Sequence, residues 1–209
     1  MSRILLFGDS IVLGFWDKEG GWATRLRKFI DEKNLTVPDY YNQIYNLGIS
    51  GNTSEDLLKR FECECQARQK EEGGTVIIIG IGENDSQIRN GKFRIEIKEF
   101  EKNLGKLLNL GKKFSSKIIF VGMCPADESK SDPIPWDTSK SYRNDSIAQY
   151  NDVVRKFCEK NNLGFIDVFN NLSKKNYKEL LDDGVHPNTE GHRQIYEIIK
   201  AYLIEKKIV

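Results

Sequence analysis

The sequence predicts an α/β fold in which a parallel β-sheet is covered by helices on both faces. Five short runs rich in apolar, β-branched residues alternate with amphipathic stretches of helical period. The run TVIIIGI, residues 75–81, is apolar almost throughout, which is typical of a strand buried on both faces. Strands that alternate with helices along a chain favour parallel pairing through crossover helices. The length of 209 residues suits one domain, residues 1–209.

The predicted elements follow one another in regular order. Each strand is a short apolar run, and each helix repeats apolar side chains three or four positions apart. In WATRLRKFIDEK this spacing puts Leu26, Phe29 and Ile30 on one helical face. The predicted strands are residues 4–7, 44–47, 75–81, 117–121 and 165–168. The predicted helices are residues 22–33, 55–61, 96–108, 147–160 and 192–207.

The connection at residues 124–146 is predicted to be a long surface loop. It is polar and contains Pro125, Pro133 and Pro135. Loops of this length inside a compact domain are usually functional or mobile. Isolated tryptophans are more often core residues than ligand contacts, but the loop position favours Trp136 as a substrate-binding residue.

Composition excludes several classes of function. Lys and Arg total 32 against 31 Asp and Glu, so the net charge of +1 provides no global basic field for nucleic acid or an anionic membrane. With 39% hydrophobic residues the chain can build a core, which excludes disorder. No segment approaches the length of a transmembrane helix, and the N-terminal apolar run is too short for a signal peptide. We expect a cytoplasmic protein without stable membrane association, and the oligomeric state stays open.

Histidine and cysteine are too sparse for common metal sites. The chain has two histidines, His186 and His192, so a site built on several imidazoles is excluded. Its four cysteines form no C-x-x-C pair and no zinc-ribbon spacing. We therefore expect no metal and no cofactor, and any imidazole chemistry must use one of these two histidines.

Small polar residues follow the predicted strands, at the edge where parallel α/β sheets bind ligands. Ser10 comes directly after the first strand, in FGDS, where a helix N-terminus would favour a developing negative charge. A G-D-S triplet alone is weak, because Asp and Ser are also common turn and cap residues.

Asp183 and His186 strengthen this interpretation. They are three residues apart, so in a helical turn the carboxylate can reach an imidazole nitrogen and orient the ring. The alternative is that Asp183 only caps a turn and His186 is a solvated loop residue. Because Ser, Asp and His converge on one edge of the same predicted sheet, a catalytic group is favoured.

Two further strand ends supply candidate donors for an oxyanion. Gly51, in ISGNTS, has no side chain to block its N–H, and Asn84, in GIGENDS, can offer its side-chain amide. The backbone N–H of Ser10 would be a third donor. Taken singly, Gly51 could be a turn glycine and Asn84 could hold its own loop together.

These blocks resemble the GDSL, or SGNH, family of serine hydrolases. The match runs along the chain in order, from FGDS through ISGNTS and the G-x-N-D block to DGVHPN. The resemblance implies a three-layer α/β/α, flavodoxin-like fold with a mostly five-stranded parallel sheet. It also implies roles: Ser10 as nucleophile, His186 as general base and Asp183 as its orienting carboxylate, with the Ser10 N–H, Gly51 and Asn84 as the oxyanion hole.

His192 is predicted to pack beneath the active-site loop. It lies six residues after His186, at the start of the last helix, and family members often carry G-H at this position. A catalytic role for His192 is the second alternative.

The predicted function is metal-independent hydrolysis of carboxylic esters of small or soluble acyl compounds, through a Ser-His-Asp triad and an acyl-enzyme. Within the family, the alternatives are a carbohydrate acetylesterase, a thioesterase or a lysophospholipase. From another class, the alternative is a non-catalytic α/β module that binds a small ligand, because fold alone does not determine function.

Overall fold

A computed structural model describes residues 2–70 and 72–209, and its centre is a five-stranded parallel sheet. The sheet strands are β1 (Ser2–Gly8), β2 (Asn42–Gly48), β3 (Gly74–Gly80), β6 (Lys117–Val121) and β8 (Gly164–Ile166). Their order in the sheet is β2-β1-β3-β6-β8, with β1 next to the middle strand and β2 at one edge. The predicted α/β class and the mostly five-stranded parallel sheet are confirmed.

Helices cover both faces of this sheet, which gives the three layers that the family resemblance implied. Alternate residues of a strand point to opposite faces, so Leu5 and Phe7 pack under the helices of residues 54–66, 97–111 and 144–161, while Ile4 and Leu6 pack under those of residues 21–36, 168–173 and 189–205. Within the described residues, no helix is both long and apolar enough to cross a membrane. The helices are α1 (Ser10–Leu13), α2 (Gly21–Thr36), α3 (Ser54–Gln66), α4 (Glu83–Ser86), α5 (Ile97–Gly111), α6 (Glu128–Ser131), α7 (Asn144–Asn161), α8 (Val168–Ser173) and α9 (Thr189–Glu205), with a 3-10 turn at Tyr177–Leu180.

A row of glycines ends the three neighbouring strands β1, β2 and β3. Gly8 pairs with Gly48 on one side and with Gly80 on the other. A Cβ at Gly8 would collide with the Val12 side chain, and one at Gly48 would collide with the backbone of Leu13. The missing side chains therefore let α1, which begins with Ser10, lie directly against the end of the sheet.

The predicted surface loop at 124–146 is wrong as a description of the whole segment. Its first residues are buried, with Cys124 and Ala126 in the core, because Asn144 bonds both the N–H and the carbonyl of Ala126. The segment also contains α6 and the short strand β7 (Lys140–Ser141). This strand pairs with β4 (Ile88–Arg89), which pairs with β5 (Lys92–Phe93), in a small antiparallel sheet.

The fifth predicted strand, 165–168, is wrong at its end. The strand stops at Ile166, and Val168 begins α8. Asp167 ends the strand because its carboxylate accepts the N–H of Asn170 at 3.0 Å and so caps the helix. Val168 was included in the predicted strand because it is apolar, but it is buried as the first residue of a helix.

Candidate active site

Ser10 lies at the first turn after β1, in the interior of the molecule. Asp9 caps this turn by accepting the N–H of Ile11 at 3.0 Å, and Gly14 ends it with a φ of 93°. Both Gly14 and Phe15 donate their N–H to the carbonyl of Ser10, at 3.0 Å each. Ser10 is only 5% exposed, so its hydroxyl is held at a defined position on the sheet edge.

The structure brings Ser10, His186 and Asp183 into one chain of hydrogen bonds. The Oγ of Ser10 is 2.9 Å from Nε2 of His186, although 176 residues separate the two. On the other side of the ring, Nδ1 of His186 is 2.7 Å from Oδ2 of Asp183. This is the arrangement in which an imidazole can take a proton from a hydroxyl while a carboxylate orients it.

The electrostatics assign the direction of these bonds. Burial alone would raise the pKa of Asp183, but hydrogen bonds from the side chain and backbone of His186 outweigh it and hold this pKa well below its usual value. An ionised carboxylate only accepts, so Nδ1 of His186 carries the proton and donates it to Asp183. Nε2 is then the acceptor for the hydroxyl of Ser10.

Asp183 also folds the loop that carries it. Residues 182–186 form a tight bend, closed by a bridge between Leu181 and Pro187, and not the helical turn that the three-residue spacing suggested. Oδ1 of Asp183 accepts the N–H of Val185 at 3.0 Å and that of His186 at 2.8 Å. Asp183 is thus a turn cap and the partner of the imidazole at once, so the two interpretations of this residue are compatible.

The loop after β2 places Gly51 beside the end of β1. Ile49 donates its N–H to the carbonyl of Gly8 at 3.1 Å, and Arg60 bridges that carbonyl and Asn52 Oδ1. Gly51 has a φ of 77°, and a Cβ there would meet nothing within 4 Å. Backbone conformation, and not lack of space, therefore requires glycine at this position.

Asn84 joins this loop from the strand end after β3. Its Nδ2 donates to the carbonyl of Asn52 at 3.0 Å, which uses one of the two amide hydrogens and leaves the second. Its Oδ1 accepts the hydroxyl of buried Tyr142 at 2.9 Å, which fixes which way the amide faces. Tyr142, 58 residues away, was missed by the sequence analysis, because nothing near it in the chain signals this contact.

Three buried carboxyl groups underlie the site, and the sequence analysis missed them as a group. Burial raises the pKa of Asp9 to about 6 and that of Asp85 to about 7. Burial and the neighbouring Asp9 raise the pKa of Glu83 well above its ordinary value. Asp9 and Glu83 line one small cavity of about 20 Å³, and Oδ2 of Asp9 has no protein partner there among the described residues. The only sequence signal was the placement of acidic residues directly after buried strands.

His192 lies in the core, as the sequence analysis expected. It is fully buried, and burial lowers its pKa to about 4, so the ring is neutral. Nδ1 accepts the N–H of Trp22 and Nε2 faces the carbonyl of Phe15, each at 3.4 Å. The ring therefore supports the turn that follows Ser10.

The tryptophan nearest the hydrogen-bonded group is Trp16. Its Nε1 donates to Oδ2 of Asp183 at 3.2 Å. Trp136, which the sequence analysis favoured, is 73% exposed in a turn closed by a bridge between Ile134 and Asp137. No hydrogen bond or ring contact found within residues 2–70 and 72–209 joins Trp136 to Ser10, Asp183 or His186.

A model of the GDSL-like Lipase/Acylhydrolase family matches residues 6–194, so the chain belongs to this family and is an ester-bond hydrolase. The family membership predicted from the four sequence blocks is thereby confirmed.

Similar proteins carry related activities. An acetylxylan esterase from Geobacillus stearothermophilus is 29% identical over 163 residues, which cover 74% of this chain and 69% of that protein. A lipase/acylhydrolase from Enterococcus faecalis has a similar structure, with a TM-score of 0.77 at 23% identity over 99% of this chain and 97% of that one. The structure of Axe2, an acetylxylan esterase from Geobacillus stearothermophilus, gives a TM-score of 0.70 at 24% identity over 97% and 93%. At this identity the structural likenesses establish the fold alone.

Proposed function

We propose that this chain is a serine esterase that hydrolyses small acyl esters through an acyl-enzyme on Ser10. The observation that carries the proposal is the continuous chain Ser10 Oγ, His186 and Asp183, with distances of 2.9 and 2.7 Å. His186 takes the proton of Ser10 as Oγ attacks the ester carbonyl, and Asp183 stabilises the imidazolium. His186 then protonates the leaving alcohol, and water repeats the sequence to release the acid.

The N–H groups of Ser10 and Gly51 and the amide of Asn84 are proposed as the donors that stabilise the tetrahedral intermediate. Gly51 directly precedes Asn52 in the chain, and Asn84 donates a hydrogen bond to the carbonyl of Asn52. These two donors are therefore held close to each other. Among the described hydrogen bonds, none uses the N–H of Ser10 or of Gly51. Donors that are held in place before the reaction stabilise the developing charge without reorganisation.

A carbohydrate acetate is the second candidate for the substrate, and the similarity to acetylxylan esterases favours it. The exposed aromatic rings of Phe15 and Trp16 next to the triad support it further, because sites for small organic ligands are commonly lined by aromatic side chains. Trp136 remains a proposed substrate contact, since its exposed ring can meet a large alcohol group. Thioesters and lysophospholipids are the remaining alternatives within the family.

The proposal is tested by labelling the folded protein with a fluorophosphonate and by following hydrolysis of p-nitrophenyl acetate. The wild-type chain is expected to form one adduct on Ser10, and Ser10→Ala and His186→Ala are expected to reduce hydrolysis to background. Ser116→Ala is the matched control, because Ser116 is exposed and precedes β6 at the opposite end of the sheet. A wild-type chain that neither labels nor hydrolyses would favour the non-catalytic binding module.

Substrate class is tested by comparing kcat/KM on acetylated xylo-oligosaccharides, p-nitrophenyl esters of increasing chain length, acyl thioesters and a lysophospholipid. A small-acyl esterase is expected to prefer acetate over longer acyl chains. A higher kcat/KM on acetylated sugar than on p-nitrophenyl acetate would establish the carbohydrate acetylesterase. A preference for long acyl chains would contradict both candidates.

A further inference from the structure

The turn after α1 holds Trp16 in a backbone conformation that bulky residues rarely adopt. Trp16 has a φ of 67°, in the left-handed region, where a side chain is normally strained. On its N-terminal side, Gly14 and Phe15 both donate to the carbonyl of Ser10. The two residues before Trp16 are thus bonded directly to Ser10, which carries the proposed nucleophile.

On its C-terminal side the turn is held by Asp17. The Asp17 carboxylate accepts the N–H of Glu19 at 3.0 Å and that of Gly21 at 2.9 Å, and it pairs with Arg25 at the start of α2. These contacts fix the chain on both sides of Trp16, so the strained conformation is imposed by its surroundings. Strained residues of this kind concentrate at functional sites.

The indole N–H of Trp16 meets the carboxylate that orients His186. Nε1 donates to Oδ2 of Asp183 at 3.2 Å, and Oδ2 is also the oxygen that His186 contacts at 2.7 Å. The other oxygen, Oδ1, is filled by backbone N–H groups of the Asp183 loop itself. The indole therefore links the Asp183 loop to the Ser10 turn, 167 residues away in the chain.

The ring of Phe15, the residue before Trp16, packs against the imidazole of His186. Phe15 meets His186 edge to face, with ring centroids 5.1 Å apart, and Phe15 packs against Trp16 at 4.6 Å. The carbonyl of Phe15 faces buried His192. Yet Trp16 is 55% exposed, so its burial contributes less to the core than a tryptophan of this size could.

We propose that Trp16 is a positioning residue for the proposed hydrolysis: its indole N–H sets the orientation of the Asp183 carboxylate and, with Phe15, the plane of His186. This inference rests on the proposed function and adds a fourth residue to the Ser10, His186 and Asp183 chain. Trp16 does not touch the reacting atoms. Its effect on the reaction passes through Asp183.

The decisive variant is Trp16→Phe, which keeps an aromatic ring and removes the N–H donor. We expect kcat on p-nitrophenyl acetate to fall about tenfold, the usual effect of losing a hydrogen bond to a charged group, while KM changes less than about twofold. The acid limb of the pH profile, where kcat/KM falls as the solution becomes more acidic, is expected to move to higher pH. The reason is that an Asp183 carboxylate that accepts one hydrogen bond fewer attracts an imidazolium more strongly. Three ionisable groups interact with His186: Asp183 by hydrogen bonds, and Asp9 and His192 through their charges.

Tyr41→Phe is the matched control, since it also changes an exposed aromatic side chain but lies directly before β2, at the opposite end of the sheet from Ser10. It is expected to leave kcat, KM and the acid limb as they are in the wild-type chain. Trp16→Ala is expected to lower kcat further than Trp16→Phe, because it also removes the contact with Phe15. A merely structural role for Trp16 would lower the melting temperature without moving the acid limb.

A second measurement, by NMR, detects the hydrogen bond between Trp16 and Asp183 without an activity assay. The chain has three tryptophans, so the indole N–H resonances are few and Trp16→Phe assigns one of them. Asp183→Asn is expected to shift that resonance and leave the other two in place. An unaltered resonance would overturn the inference, as would an unchanged kcat and acid limb in Trp16→Phe while Ser10→Ala is inactive. Inactivity of the wild-type chain itself would instead reject the proposed function.

Discussion

Several residues at this site both stabilise the local fold and have a proposed role in the reaction. The Asp183 carboxylate caps its own bend with one oxygen and holds His186 with the other. Asn84 ties two strand-end loops together through one amide hydrogen and its carbonyl oxygen, which leaves the second hydrogen for a ligand. The bonds that close these loops therefore also hold the proposed reactive groups in place before a ligand binds.

Asn84→Ala tests the proposed oxyanion donor. We expect kcat to fall on the order of a hundredfold or more, the usual cost of removing one such donor. Stability is also expected to fall by about 1–3 kcal/mol, because the buried hydroxyl of Tyr142 loses its acceptor. Steady-state hydrolysis of p-nitrophenyl acetate and thermal melting measure the two effects.

Tyr142→Phe is the control for Asn84→Ala, since it frees the orientation of the amide but keeps the donor. A smaller loss of kcat is expected than in Asn84→Ala. Nearly normal turnover in Asn84→Ala would remove Asn84 from the active site.

At the scale of elements, helix ends and strand ends determine where the site forms. The glycines that end β1, β2 and β3 let α1 approach the sheet, so Ser10 lies close to the strands. Helix α9 begins directly after the His186 loop, and His192 in its first turns reaches back to the carbonyl of Phe15. The start of α9 is thus connected to both segments that carry the Ser10 and His186 side chains.

Asn188→Ala tests the start of this helix. Asn188 accepts the N–H of Gly191 at 3.0 Å, and loss of such a cap costs about 1 kcal/mol. For a chain of this length the melting temperature is expected to fall by about 2–4 °C. Asn188→Asp keeps the capping oxygen but loses the amide donor to the carbonyl of Glu179, so it is expected to melt between Asn188→Ala and the wild-type chain. Equal melting of Asn188→Ala and the wild-type chain would show that the cap does not stabilise α9.

At the scale of the whole molecule, buried carboxyls link stability to pH. Burial raises the folded-state pKa of Asp9 to about 6 and of Asp85 to about 7, from an ordinary value of 3.8, and that of Glu83 rises as well. At a pH between the ordinary value of 3.8 and the raised folded-state pKa values, these carboxyls are protonated in the folded chain and ionised in the unfolded chain. Stability therefore falls as pH rises from about 4 to about 7. Asp183, whose pKa is lowered, loses its contribution only in more acidic solution.

We expect the wild-type chain to melt at a higher temperature near pH 5 than near pH 8, by about 5 °C or more. Asp85→Asn is the informative variant, because it removes a buried carboxyl that contacts Ser54 and does not contact the triad. Its melting temperature is expected to depend less on pH over this range. A pH dependence in Asp85→Asn as steep as that of the wild-type chain would show that Asp85 is already ionised at pH 5 in the folded protein.

The sequence alone was sufficient for the α/β class and for the five strands of the central sheet apart from the end of the fifth, while the site roles of Ser10, Gly51, Asn84, Asp183 and His186 stay predictions. Apolar periodicity is a local property, and the rule that parallel strands bring their carboxyl ends to one edge needs only the order of the elements. The same local signals failed where tertiary contacts decide the outcome. Val168 continued an apolar run yet begins a helix, and the segment at 124–146 is anchored in the core by Asn144.

Only the tertiary structure decided which aromatic and acidic side chains surround the hydrogen-bonded group. The sequence favoured Trp136 from its loop, but the indole that meets Asp183 is that of Trp16, in a turn whose sequence predicted no such contact. Tyr142 behind Asn84 and the buried pair Asp9 and Glu83 were equally unforeseen. Contacts between residues far apart in the chain, and the burial that shifts a pKa, depend on how helices pack on the sheet, and no local pattern encodes that packing.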